Sequence, residues 1–184
     1  MPSQRHTART QVGTGYTLIE VLVVIVVMGI AGALVIPAVG SSDVLRTQTA
    51  VRTLISDLSF AQSDAIALQQ QRAVEFDTDE NQYRIRGVSG TTLLDVVYDP
   101  FSANKRYELD FDDPDFGGAV LTDAEFGTGA APLLVFDEFG APVDGPGSVT
   151  PIPSGFIEIT GPRFIFTVTV DGMTGQINTD RVAN

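Results

Sequence analysis

Cysteine is absent from these 184 residues, and the single histidine, His6, falls near the start. Those two absences exclude a good deal of chemistry. No disulfide framework holds the fold, and the redox compartment is not legible from thiols. Beyond residue 6, a Ser-His-Asp triad, a cysteine nucleophile and a histidine-ligated zinc site have nothing to be built from. Basic residues are scarce as well. Eleven Lys and Arg stand against 23 Asp and Glu, the formal net charge is −12, and Lys105 is the only lysine. A chain so acidic in total lacks the clustered cations that nucleic acid or an anionic lipid surface requires.

What the chain has instead is one long uncharged run, Val21 to Val39, of 19 residues. With residues 16–20 before it the segment reaches 24 residues. As a helix rising about 1.5 Å per residue it extends about 36 Å, enough to cross the apolar core of a bilayer. Its one carboxylate, Glu20, stands at the rim. A charge at the centre of such a span costs about 2.5–3.5 kcal/mol and less near the ends, so an acid kept at the rim is a functional candidate. The plainer reading is a helix start, where the dipole favours an acid by about 0.3–1 kcal/mol. Residues 1–15 are polar and basic without an acidic residue. With Arg5 and Arg9 before the run and Asp43 after it, the asymmetry favours a cytoplasmic N-terminus and the bulk of the chain across the membrane. An ordinary secretory signal would use Ala31-Gly32-Ala33 as its cleavage site. Against this, Leu34, Val35 and Ile36 continue the run beyond a normal signal core. Gly29, Ala31, Gly32 and Ala33 allow close helix approach in an apolar medium. Pro37 removes the donor to Ala33, so a kink is expected there, with Gly40 to Asp43 offering a hinge and a cap.

The letters Gly15-Tyr16-Thr17-Leu18-Ile19-Glu20-Val21-Leu22-Val23-Val24 resemble the class III signal of type IV pilins and type II secretion pseudopilins. The resemblance implies an aspartyl prepilin peptidase cutting after Gly15, N-methylation of the new terminus Tyr16, and Glu20 in the fifth mature place. The one departure is Tyr16 where those families usually carry Phe. Loss of residues 1–15 would leave nine basic residues against 23 acidic, a formal charge of −14. In such families a proline near the position of Pro37 marks where the helix can unravel in the fibre. Glu20 then has a physical role. Cleavage creates an α-amine, and in a medium of low dielectric an amine and a carboxylate attract far more than in water. A neighbouring helix would slide until its amine is compensated, which fixes axial register.

Past the hinge the helical pattern resumes, with Val51, Leu54, Ile55, Leu58, Ala61, Ala65 and Leu68 spaced i, i+3, i+4, i+7. Arg46, Arg52, Asp57, Ser63, Asp64 and Gln69 fall mostly off that stripe. From Ala73 the period becomes two. Val74 and Phe76, a turn over 78–81, then Tyr83 and Ile85 make a hairpin. Strands are expected at Leu93–Tyr98, Arg106–Phe111, Leu133–Phe136, Phe156–Thr160, Arg163–Val170 and Gln176–Asn178. Residues 112–131 read as irregular loop. Asp110, Asp112, Asp113, Asp115 and Glu125 supply carboxylates for glycosidase or calcium chemistry. Acids in a Gly-rich loop are more often a solvated surface, and the run lacks EF-hand spacing. Calcium binding by the Asp110–Asp115 loop stays open. Gly127-Thr128-Gly129 has no strand-to-helix context for phosphate.

Val135-Phe136-Asp137-Glu138-Phe139-Gly140-Ala141-Pro142 and Val170-Asp171-Gly172-Met173-Thr174-Gly175-Gln176-Ile177 resemble the GspH/FimT family of minor pseudopilins and minor pilins. That resemblance covers the ends of the chain and only poorly the middle, roughly 90–130. It implies an α+β, pilin-like fold: a long, partly transmembrane N-terminal helix packed on an antiparallel, sandwich-like β-domain. The expected organisation is a cleaved leader over 1–15, a transmembrane and assembly helix over 16–40, its amphipathic second half over 41–72, and a periplasmic β-domain over 73–184. The function implied is a structural subunit of a type II secretion pseudopilus in the bacterial inner membrane, not an enzyme. Its partners would be the prepilin peptidase, a major pseudopilin and other minor pseudopilins. No cofactor, metal, nucleic acid or small-molecule substrate is expected. The alternative is a FimT-like minor pilin of a type IV pilus, serving pilus biogenesis, adhesion or DNA uptake. A tail carrying only Arg181 beside Asp180 speaks against DNA binding.

Overall fold

The computed structural model describes residues 16–39, 42–97, 106–128 and 131–184. Gly15 and the leader expected over 1–15 lie outside the described residues. The chain divides into two compact units that part between residues 40 and 41.

Among its described residues the first unit holds one helix, α1 (Leu18–Val39). Thr17 caps it. The Glu20 N–H donates to Thr17 Oγ1 at 3.3 Å and to the Thr17 carbonyl at 3.1 Å, meeting a donor that a helix start otherwise leaves unsatisfied. Pro37 lies inside α1, where a kink is expected, and the side chains of 33–43 lie outside the described set. Among the described residues no helix is long and apolar enough to cross a membrane. The expectation of a span therefore draws on the sequence from Val21 to Val39 and not on the fold.

The second unit opens with α2 (Ser42–Leu68). Its buried positions, Thr47, Ala50, Val51, Leu54, Asp57, Leu58, Ala61 and Ala65, follow helical spacing and form one stripe. Leu68, expected on that stripe, is instead exposed. The helix closes there in a Schellman-type ending, with the Gln70 N–H donating to the Ala65 carbonyl and Gln69 at φ +50°. Among the described residues ten strands follow: β1 (Arg72–Asp77), β2 (Gln82–Ser89), β3 (Thr92–Val96), β4 (Glu108–Asp110), β5 (Val120–Glu125), β6 (Leu133–Phe136), β7 (Pro142–Val143), β8 (Ser154–Thr160), β9 (Phe164–Asp171) and β10 (Ile177–Ala183). They make two antiparallel sheets. One runs β3-β2-β1-β6-β7 with β4 also on β2, and the other runs β10-β9-β8-β5.

The expected β1–β2 hairpin is present, with Val74 opposite Ile85 and Phe76 opposite Tyr83. Asn81 at φ +52° takes the left-handed position of its turn. One cluster of buried residues joins α2 to both sheets: it holds Leu54 and Leu58 together with Val74, Phe76, Ile85 and Phe136 of one sheet and Leu121, Ile157, Ile159, Val168 and Val170 of the other. A smaller cluster, Ala73, Val88, Val135 and Val143, lies apart from it.

Several boundaries differ from the sequence reading. Residues 112–131 are not all loop, because β5 occupies 120–125 and pairs with β8. Its register shifts between Leu121 and Asp123, so the buried residues Leu121 and Ala124 are three apart and the two-residue period that marks a strand is lost. The strand expected over Arg106–Phe111 is regular only from Glu108 to Asp110. β10 extends to Ala183, well past Asn178.

Candidate functional site

The N-terminal segment brings Tyr16 and Glu20 together. One helical turn apart, they share with Val21 and Val24 an open hollow of about 320 Å³. Every described side chain from Tyr16 to Gly32 is exposed, including the large apolar Leu18, Ile19, Ile25, Met28 and Ile30. A helical stretch whose described side chains are apolar on every side and exposed is the kind that other apolar surfaces enclose. Thr17 with Glu20 also fits the Thr-x-x-Glu pattern of a capped helix start, so the plainer role of Glu20 has a structural counterpart.

In the second unit, sequence reasoning missed one feature outright. Asp57 sits not off the stripe but within it, 8% exposed. Its carboxylate accepts from the Tyr83 hydroxyl at 2.5 Å and from the Tyr107 hydroxyl at 2.9 Å. Tyr107 in turn stacks on Phe60 of α2, centroids 4.7 Å apart. Burial, then the charge and hydrogen bond of Asp57, push the Tyr83 phenol well above its ordinary value. This hub locks α2 to β2 and to the residue just before β4 through polar contacts that no periodicity announces.

The acidic loop uses its carboxylates internally. Asp110 accepts from the Asp112 N–H, Asp113 from the Asp115 N–H at the start of a 3₁₀ turn over Pro114–Phe116, and Asp112 from Asn81 Nδ2. Among the described residues no group of three Asp, Glu, His or Cys is placed to hold a metal ion. The GspH/FimT-like segments are tight turns. Asp137 Oδ1 accepts from the Phe139 and Ala141 N–H groups, and Asp171 Oδ1 from the Met173 and Thr174 N–H groups. Those bonds hold the Asp171 carboxyl below its ordinary value, the side-chain bond from Thr174 first among them.

No family model and no curated protein matches the sequence. Solved structures do match. Two structures of the minor pseudopilin EpsH from the type II secretion system of Vibrio cholerae align over 73% of this chain. The first covers 96% of its own chain with TM-score 0.53 and 15% identity, the second 92% with 0.52 and 16%. The type IV minor pilin FimU of Pseudomonas aeruginosa aligns over 75% of this chain and 92% of its own, TM-score 0.50, identity 16%. The fold is that of minor pseudopilins and minor pilins. At such identity the likeness speaks to fold alone. Within that fold, α2 is the helix seated on the β-domain, Tyr16 and Glu20 lie at the start of α1, and the two sheets take the place of the expected sandwich.

Proposed function

We propose that this chain is a minor pseudopilin, a non-catalytic subunit of the periplasmic pseudopilus of a type II secretion system. The observation that supports the reading is the exposed, apolar stretch from Val21 to Gly32 behind a single acid, Glu20, in a chain with the fold of minor pseudopilins and minor pilins. In this reading a prepilin peptidase removes residues 1–15 after Gly15, and Tyr16 is methylated. Val21 to Val39 holds the precursor in the inner membrane as a single pass, N-terminus cytoplasmic and β-domain periplasmic. Assembly moves that segment from lipid into a bundle with the major pseudopilin and other minor ones. Glu20 then compensates a neighbour's terminal amine in a medium of low dielectric.

The likeness to FimU favours a second reading, a minor pilin of a type IV pilus. Deleting the gene separates the two. Loss of protein secretion with surface pili intact supports the pseudopilin, and loss of piliation with secretion intact supports the pilin. A strain unaltered in both would contradict either role.

A further inference from the structure

Two turns display large apolar side chains that the core does not use. Phe139 stands in the β6–β7 turn and Met173 in the β9–β10 turn, each 84% exposed. Neither is a loose end. The Asp137 carboxylate holds the backbone around Phe139 with bonds of 2.9 and 2.8 Å. The Asp171 carboxylate holds the Met173 and Thr174 N–H groups and the Thr174 hydroxyl at 3.1, 2.8 and 2.7 Å. The turns belong to different sheets, yet Gln62 of α2 ties them together. Its Nε2 donates to the Gly140 carbonyl at 2.7 Å and to the Thr174 carbonyl at 3.3 Å. Glycine permits the close approach. A Cβ on Gly140, at φ +82°, would lie 2.8 Å from Ile66 Cδ1, and one on Gly175, at φ +68°, would lie 2.9 Å from the Gly140 carbonyl oxygen. Ile66, one helical turn past Gln62, is itself 49% exposed. Three apolar side chains thus stand out from a backbone braced from both sides. A backbone fixed in advance loses little entropy when the side chains it carries are covered, which is how pre-organised interfaces gain strength.

Charge selects the occupant. Asp137, Glu138 and Asp171 lie on the same two turns, and no Lys or Arg occurs from Pro132 to Pro162 or from Phe164 to Asp180. A second copy would set those carboxylates against their own kind, in a chain already at −12. We propose that Phe139, Met173 and Ile66 seat in an apolar pocket, rimmed by Lys or Arg, on a neighbouring subunit of different sequence. This rests on the reading of the chain as an assembly subunit and adds which face meets the neighbour.

The test places a photocrosslinking benzoylphenylalanine at position 139, at 173, or at Val120 as control, in the full-length chain expressed in its own cells. Val120 is 46% exposed and lies on β5, the far edge of its sheet. Positions 139 and 173 should give an adduct with one and the same pilin-like subunit, mapped beside its Lys or Arg, and Val120 should give none. Glu138→Lys should lower the adduct yield about fivefold, as loss of a rim charge pair does. An adduct with a second copy overturns the proposal. So do different partners from the two positions, equal yield from Val120, an unchanged yield with Glu138→Lys, or no adduct. Recovery of the chain in sheared fibre fractions of the same cells is scored separately. If the chain is absent there, the assembly reading fails and the docking face with it. If it is present without an adduct, the docking face alone fails.

Discussion

Glu20 sits at the position where two physical roles compete. As a helix-start acid it contributes about 0.3–1 kcal/mol through the dipole, and Thr17 caps the same turn. As a registration residue it acts only once a neighbour's amine is near. Under the proposed function Glu20→Val separates them, because removing the charge makes the segment more apolar and should leave insertion and leader cleavage intact. The expected result is a normal membrane level of cleaved protein with sharply reduced recovery in sheared fibre fractions. Wild-type assembly would reduce Glu20 to a helix-start residue. Asp57 and Tyr83 form the other pair whose chemistry reaches beyond its neighbours. The Tyr83 phenol is held well above its ordinary value by burial first and then by Asp57. The unfolded chain therefore releases that proton first, near pH 10. Stability linked to Tyr83 is fully present below about pH 10 and is lost as pH rises from there through the folded-state value. Tyr83→Phe should flatten this alkaline loss, read as melting temperature at about pH 8 and about pH 10.5. Parallel losses in the two proteins would exclude the hub as the cause. Asp57→Ala, which removes the acceptor of the buried Tyr83 hydroxyl, should cost about 1–3 kcal/mol, and Asp57→Asn less.

Among the elements, what the sequence made legible is what obeys a period. The α2 stripe of Leu54, Leu58, Ala61 and Ala65 and the alternation of Val74, Phe76, Tyr83 and Ile85 both survive in the fold. β5 was illegible because its bulge breaks the alternation between Leu121 and Ala124. β10 was read short because from Asn178 onward its side chains are all exposed, which leaves no buried face to mark. Asp57 was misplaced because a period records which positions are buried by apolar demand and is blind to an acid buried by two tyrosine donors. Of the candidate site, Tyr16 and Glu20 are described and lie together, Pro37 is described in backbone only, and Gly15 lies outside the described residues. Leu54→Ala, at the centre of the stripe, should lower stability by about 2–5 kcal/mol. Ser63→Ala, on the exposed face of the same helix, should change it by less than about 0.5 kcal/mol. Denaturant midpoints compare the two directly, and similar costs would mean that α2 is not seated by that stripe.

At the scale of the whole molecule, composition and fold pull the same way. A chain without cysteine, with its one histidine at residue 6, has no thiol or imidazole beyond that position. Its polar groups brace turns and seat a helix, which suits a subunit that must be rigid where neighbours meet it. The central claim is that the chain reaches its assembly as a processed prepilin, which fixes where the working molecule begins. Intact-mass analysis of the protein extracted from membranes reads this directly. The account predicts a chain starting at Tyr16, residues 1–15 absent and one methyl group added, with the precursor left uncut when Gly15 is replaced by a bulky residue. A chain starting after Ala33, or one retaining residues 1–15, would contradict it.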